Sequence, residues 1–219
     1  MAHNSFVSLF SGAGGLDIGL EEAGWVCHYA SDVDRDAVET LNLNKGRRLV
    51  HSLALSEAFI EEADVRHSSG ADILAKGGVR RGGVTLLAGG PPCQSWSSAG
   101  HQRGFEDPRG QLFADFVRLA GELDVRWLLF ENVRGLLTAR GPDGTPGTAL
   151  QLIRNRLLEA GFQTTVALLN AADYGLPQRR VRLFVVGYRA GDIPPFPIPT
   201  HAKTPTDGLK PWVPLQDSL

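Results

Sequence analysis

The chain has 219 residues, 42% of them hydrophobic and 21% charged, with a formal charge of -2. That length suits one substantial α/β domain or a domain with an appendage, and the near-neutral charge argues against a self-sufficient nucleic-acid binder, which usually carries a basic excess. Two cysteines, Cys27 and Cys93, are too few for a disulfide framework or a four-ligand zinc site, and neither a membrane-length apolar span nor a signal core is present, so a cytoplasmic protein with no metal and no membrane partner is expected.

Ser5 to Phe10 has strand character, and Ser11-Gly12-Ala13-Gly14-Gly15 breaks it before the helical pattern of Leu16, Ile18, Leu20 and Ala23. Strand, glycine turn and helix make the first half of a nucleotide-binding unit, because glycine lets backbone approach a ligand and the helix start offers free N–H donors. The spacing is not G-x-G-x-x-G, so the loop reads equally well as a tight turn. Trp25 to Ser31 is read as a second strand ending in Asp32-Val33-Asp34. An acid about twenty positions after the glycine loop is placed to accept hydrogen bonds from a ribose diol. Either aspartate could instead cap the helix that begins at Arg35, and Asp34 is the better placed of the two. No element is assigned between Lys45 and Glu62. Asp64-Val65 is read as closing a third strand, and Asp72 to Ala75 as opening a short helix.

The stretch Leu86 to Gly100, LLAGGPPCQSWSSAG, organises the rest. A buried strand stops at Gly89-Gly90, two prolines stiffen the exit, and Cys93 follows where the backbone leaves the sheet, as a nucleophile or simply as a small buried residue. Ser97 to Gly110 reads as a surface loop, a lid or a connection, with His101, Gln102 and Arg103 close together. Gln111 to Leu123 gives a helical apolar face, and Trp127 to Phe130 a buried strand ending in Glu131-Asn132. A carboxylate after four large apolar residues either reaches an edge or is held protonated by desolvation, which makes Glu131 a candidate acid; a capping or salt-bridged glutamate is the alternative.

Arg134 to Gly147 reads as a loop, and a capping box at Thr148 to Gln151 opens a helix with Leu150, Ile153, Leu157 and Leu158 on its apolar face and Gly161 as its stop. Gln163 to Asn170 and Arg182 to Tyr188 are read as two more strands. Their connection carries Gln178-Arg179-Arg180, an arginine cluster suited to anionic or carbonyl-rich ligands unless it is merely solvated. Seven of the thirteen prolines lie between Pro194 and Pro214, so residues 1–190 are read as one domain and 191–219 as an extended, Pro-rich connector.

Taken in order, FSGAGG (Phe10 to Gly15), SDVD (Ser31 to Asp34), GGPPCQSWS (Gly89 to Ser97), GFEDPRGQLF (Gly104 to Phe113), ENV (Glu131 to Val133) and DYGLPQRRVRLFVVG (Asp173 to Gly187) resemble the DNA cytosine-5 methyltransferases. The resemblance implies a Rossmann-like, doubly wound α/β fold with a mostly parallel sheet and an antiparallel last hairpin. It implies S-adenosyl-L-methionine as cofactor, with Phe10, Gly12, Ala13, Gly14, Gly15 and Leu16 around its amino acid portion and Asp32 on its ribose. Val33 stands where many members of the family carry an aromatic residue over adenine, Asp64 and Val65 meet the adenine, and Pro91 and Leu112 complete the wall. Cys93 is implied as the nucleophile on carbon 6 of cytosine, Glu131 as the acid at ring nitrogen 3, and Arg182 with Arg180 as the clamp on the base oxygen. The target is a cytosine flipped out of double-stranded DNA, with the loop bearing Ser97, Gln102 and Arg103 closing behind it.

The resemblance covers the catalytic portion and ends at PWVPLQDSL, which is similar to the connector into a target-recognition region. Two expectations follow: a split enzyme of restriction-modification type whose second chain supplies recognition, or a truncated remnant. A domain that binds cofactor or partner without turnover, and a transfer-RNA methylase, are the remaining alternatives.

Overall fold

The computed structural model describes residues 4–92, 108–141, 143–191, 195–206 and 208–218, without the side chains of 108–110 and 217–218. Five strands run parallel: β1 (Ser5–Leu9), β2 (Val26–Asp32), β3 (Phe59–Glu62), β4 (Leu86–Gly89) and β5 (Trp127–Val133). β6 (Gln163–Asn170) and β7 (Val181–Tyr188) complete a seven-stranded sheet of order β3-β2-β1-β4-β5-β7-β6. β7 is antiparallel to both of its neighbours, so this is the doubly wound, mostly parallel sheet with an antiparallel last hairpin that the sequence implies.

Strand alternation sorts the core into two faces. Val7 and Leu9 of β1, Leu87 of β4 and Leu128 and Phe130 of β5 face one side, where they pack with residues of α3 (Gly70–Lys76), α4 (Pro108–Leu123) and α5 (Thr148–Glu159). Phe6, Leu86 and Ala88 face the other side, with Leu16 and Leu20 of α1 (Gly15–Glu22) and Leu41 of α2 (Arg35–Asn44). The first cluster is the larger. Trp127 and Leu129, on the α1 side of β5, are only partly buried.

Several local readings are corrected. The third strand ends at Glu62, and Asp64-Val65 lie just beyond it rather than closing it. Its ladder with β2 stops at Asp32 opposite Glu62, and the Ala63 N–H reaches back to the Asp32 carbonyl at 2.9 Å. Thr148 forms no capping box: α5 starts from Gly147 at φ 85° with no side-chain cap. The Thr148 hydroxyl is occupied by the preceding loop, accepting from the Gly141 N–H at 2.8 Å and meeting Asp143 Oδ1 at 2.8 Å. Leu158 is 63% exposed, because the buried stripe of α5 is Ala149, Ile153 and Leu157 and the next residue turns about 100° away from it. The segment read as a loop from Arg134 contains a 3₁₀ turn, Arg134–Leu137. Gly161, at φ 86°, does stop α5: the Phe162 N–H bonds the Leu157 carbonyl at 2.8 Å.

The proline-rich tail is fastened to the domain. β8 (His201–Ala202) and β9 (Lys210–Pro211) form a small parallel pair, and Asp173 anchors it. The Trp212 Nε1–H donates to Asp173 Oδ1 at 2.8 Å, and the Thr200 N–H to the Asp173 carbonyl at 2.9 Å.

Candidate active site

β1 has β2 on one side and β4 on the other, so the strand order reverses at β1/β4. In open α/β sheets the crevice beyond the carboxyl ends at such a switch point is where ligands bind. The glycine loop leaves β1 at this edge. Phe10 has φ 57°, a left-handed backbone that a bulky residue rarely adopts, and Gly12 and Gly14 follow at φ 54° and 83°. At that positive φ any side chain would be strained, and a Cβ on Gly14 would also stand 2.8 Å from Leu41 Cδ2, so glycine is favoured there. The loop is tied to the next strand end, since the Gly12 N–H donates to Asp32 Oδ2 at 2.8 Å. Asp32 Oδ1 accepts the Asp34 N–H at 2.9 Å, and Asp34 caps α2 through the N–H groups of Asp36 and Ala37. The two aspartates thus divide the roles the sequence left open. A carboxylate has about four acceptor sites, so Asp32 keeps capacity for ligand hydroxyls.

A cavity of about 230 Å³ opens beside this loop, lined by Phe10, Asp32, Val33, Asp64, Val65 and Leu112 of the expected cofactor residues. Ala63, Arg66 and Pro92 line it as well. Pro92 rather than Pro91 is among the residues lining this cavity, and the Pro91 carbonyl accepts from Asn132. Ala13 and Gly15 are exposed, whereas Leu16 packs into the core on the α1 side. Asp64 is gripped by Arg66 through both carboxylate oxygens, and that hydrogen bonding holds its carboxyl below the usual aspartate range. Sequence reasoning passed over Arg66, which sits in none of the recognisable segments.

Under the loop lies a second feature the sequence did not disclose. Asp17 of α1 is fully buried. The Ser11 hydroxyl donates to Ser8, and Ser8 donates to Asp17 Oδ1, while Asp17 Oδ2 has no hydrogen-bond partner among the described residues. Burial, tempered by the Ser8 hydroxyl, pushes the Asp17 carboxyl up to about 6.

Glu131 lies within β5, near its carboxyl end, not after it. Because β7 is antiparallel, its first residues arrive at the same edge: Arg182 pairs across from Val133. Glu131 and Val133 share a face, so Arg182 reaches Glu131 as a diagonal cross-strand neighbour. Arg182 Nε stands 3.0 Å from Glu131 Oε1, and Arg180 Nη2 is 3.5 Å from the same oxygen. Glu131 is thus partly exposed and faces two guanidinium groups, the salt-bridged arrangement that was one of the readings the sequence left open. Gly90 passes against it, since a Cβ there would lie 3.4 Å from Glu131 Oε2. Asn132, which the sequence analysis gave no role, is 6% exposed and donates from Nδ2 to the Pro91 carbonyl at 3.0 Å. Cys93, Ser97, Gln102 and Arg103 lie outside the described residues. Among the described residues no group of His, Cys, Asp or Glu could hold a metal ion, and no helix is long and apolar enough to cross a membrane.

The family model for C-5 cytosine-specific DNA methylases matches residues 4–211. The chain belongs to that family. Type II methyltransferase M.FnuDI of Fusobacterium nucleatum is 38% identical over 183 residues, 84% of this chain and 46% of that protein. M.AquIA of Picosynechococcus is 34% identical over 224 residues, 97% of this chain and 86% of that protein. Among solved structures, a DNA modification methyltransferase encoded within an Escherichia coli prophage superposes with a TM-score of 0.62 at 27% identity, over 84% of this chain and 46% of that one. The chain thus spans about half the length of M.FnuDI and the prophage enzyme, and most of M.AquIA. In this C-5 methylase chain the glycine loop, the Asp32 cavity and the Glu131 edge all fall inside the matched segment.

Proposed function

We propose that the chain is the catalytic portion of a DNA cytosine-5 methyltransferase that uses S-adenosyl-L-methionine. The observation that carries this reading is the meeting of Glu131 with Arg182 and Arg180 at the same sheet edge as the Asp32 cavity. The cavity suits the adenosine end of the donor: Val33, Val65 and Leu112 offer apolar walls to a flat base, and Asp32 offers a carboxylate to ribose hydroxyls. At about 230 Å³ it is smaller than the roughly 300–1,000 Å³ of a whole small-molecule site, so the rest of an elongated ligand would run along the glycine loop, past Gly12 to Gly15.

When bound, S-adenosyl-L-methionine supplies an electrophilic methyl group. Carbon 5 of cytosine is a poor nucleophile, and the Cys93 thiolate, by adding to carbon 6, makes it electron-rich. Glu131 hydrogen-bonds or protonates ring nitrogen 3, so charge does not build up on the ring, and Arg182, supported by Arg180, orients Glu131 and holds the base oxygen. Carbon 5, so activated, would accept the methyl group, the bonding pair staying on the donor sulfur as a neutral thioether; loss of the carbon 5 proton to water then expels the Cys93 thiolate, and return of the nitrogen 3 proton to Glu131 restores the ring. Incubating the protein with DNA and labelled donor, beside Cys93→Ser, tests this: label transfer by wild type alone is expected, and equal transfer by both forms sinks the nucleophile assignment.

We infer further that recognition of the DNA sequence comes from a second chain, and that the pair works in the cytoplasm, in a restriction-modification setting. The match spans 86% of M.AquIA, itself a Type II methyltransferase, and so leaves little of that protein for a separate recognition region. The charge of -2 supports weak phosphate contact by this chain alone. The purified chain is expected to bind duplex DNA hardly at all in a mobility-shift titration, and nanomolar sequence-specific binding would contradict the inference.

A further inference from the structure

We propose that Asp17 is a proton-linked countercharge beneath the glycine loop, giving up its proton more readily when the cationic donor lies above it. The proposal rests on the reading of that loop as the seat of the donor's amino acid portion. Asp17 stands in the first turn of α1 and is fully buried. The loop covers it as bare backbone, since a Cβ on Gly14 would come within 3.9 Å of Asp17 Oδ2. Two hydroxyls join it to the other end of the loop: Ser11 Oγ donates to Ser8 Oγ at 2.9 Å, and Ser8 donates in turn to Asp17 Oδ1. Oδ2, the oxygen near Gly14, has no hydrogen-bond partner among the described residues, which leaves it able to carry a proton.

Burial is the largest influence on this carboxyl, tempered by the Ser8 and Ser11 hydroxyls, and it stands at about 6. The charged groups that act on it among the described residues are acids as well, Glu21 one turn on in α1 and Asp32 at the end of β2, and both push in the same direction as burial. β2 also brings Cys27, a buried thiol held well above the usual thiol range. α2 sets Leu41 against Gly14, and β4, LLAG, carries no titratable side chain. At neutral pH most copies of the empty protein therefore hold a buried carboxylate without a countercharge, which costs stability that a neutral side chain would keep. S-adenosyl-L-methionine carries a sulfonium and an ammonium against one carboxylate. A cation on thin backbone above Asp17 attracts the ionised carboxyl and not the neutral one. Binding then draws the proton off, and by linkage a proton on Asp17 weakens binding. A residue that is costly in the empty fold thus acquires a use in the loaded one.

The test is calorimetric titration of the purified chain with S-adenosyl-L-methionine at pH 6 in phosphate, MES and bis-Tris. The ionisation enthalpies of these buffers differ, so the dependence of the heat on the buffer counts the protons released. If the donor strengthens the acid tenfold, the protonated fraction at pH 6 falls from about half to about a tenth, a release of about 0.4 proton per donor. The same change makes affinity about fivefold weaker at pH 5 than at pH 7.5. Asp17→Asn is expected to bind the donor without this release, with affinities at the two pH values within about twofold. Ser8→Ala removes a hydroxyl that favours the charged form and is expected to move the pH of greatest release upward. Donor binding by wild type without proton release overturns the proposal, and so does wild-type release in Asp17→Asn. Where that variant does not fold, an unmoved release maximum in Ser8→Ala overturns it equally. A wild-type chain that binds no donor sinks the methyltransferase reading instead, a result told apart by the absence of binding heat in every buffer.

Discussion

Val33 shows how one side chain can set the strength of the site. It is 63% exposed and lines the cavity beside Asp32, so an aliphatic branch stands where a flat ring would cover a ligand base. Aromatic contacts add roughly 0.5–1.5 kcal/mol beyond area burial. Val33→Trp is therefore expected to tighten S-adenosyl-L-methionine binding about three- to tenfold by calorimetry, and unchanged affinity would place the adenine elsewhere. The two aspartates around it show how far single residues were legible. Asp34 and its capping role could be read from position alone. Asp32's grip on the Gly12 N–H could not, because it depends on how the glycine loop folds back over the end of β2.

At the scale of elements, α1 is unusual in what it buries. Its deepest residues are Asp17 and Glu21, one turn apart, and Glu21 accepts the Leu55 N–H where the chain returns toward β3. The folded-state value of Asp17, about 6, lies above its ordinary 3.8. Between these values the folded protein holds a proton that the unfolded chain gives up, so this group's contribution is full below about pH 4 and is lost as pH rises through about 6. Asp17→Asn, neutral at every pH, is expected to flatten the melting temperature over that window and to raise it by a few degrees at pH 7.5, as measured by thermal melts across pH; an unchanged profile would show that Asp17 is ionised without cost.

Other elements were legible to different degrees for equally local reasons. β4 and the first four residues of β5 are unbroken apolar runs, and β1 is mostly apolar around Ser8, so pattern alone finds them. β3 was placed too late in the chain, closing at Asp64-Val65, because its last two residues, Glu61 and Glu62, are charged, although Glu61 is satisfied by the Tyr29 hydroxyl at 2.6 Å and by Lys76 at 2.8 Å. Those partners come from β2 and α3 and leave no local trace. The false capping box at Thr148 has the same origin, since its hydroxyl answers to Gly141 and Asp143 in the loop before it.

Across the whole molecule, the tail and the sheet edge are mechanically joined. Asp173 holds Trp212 and Thr200, and the Arg179 guanidinium lies 5.7 Å from the centre of the Trp212 ring, one residue before the arginine that meets Glu131. Trp212→Ala is expected to speed tryptic cleavage at Lys203 several-fold while moving the melting temperature of the domain by no more than about 2 °C. Equal cleavage rates would mean that the ring does not hold the tail. The arginines themselves were visible as a cluster, and their partner was visible as a carboxylate at a strand end. That the two meet follows from the reversal of β7, which no local pattern announces.

The same reversal has a consequence for the order in which the protein forms. β7 is the last strand of the sheet to be synthesised, yet it sits between β5 and β6, so β6 has no place on the sheet until β7 has entered. The residues around the Asp32 cavity, from Phe10 to Leu112, all precede β5 in the chain. Contacts between distant segments are the slow ones to close. An emerging polypeptide therefore has all the described residues that line the Asp32 cavity before Glu131 acquires Arg180 and Arg182, and the arginine pair is among the last parts of the sheet edge to assemble.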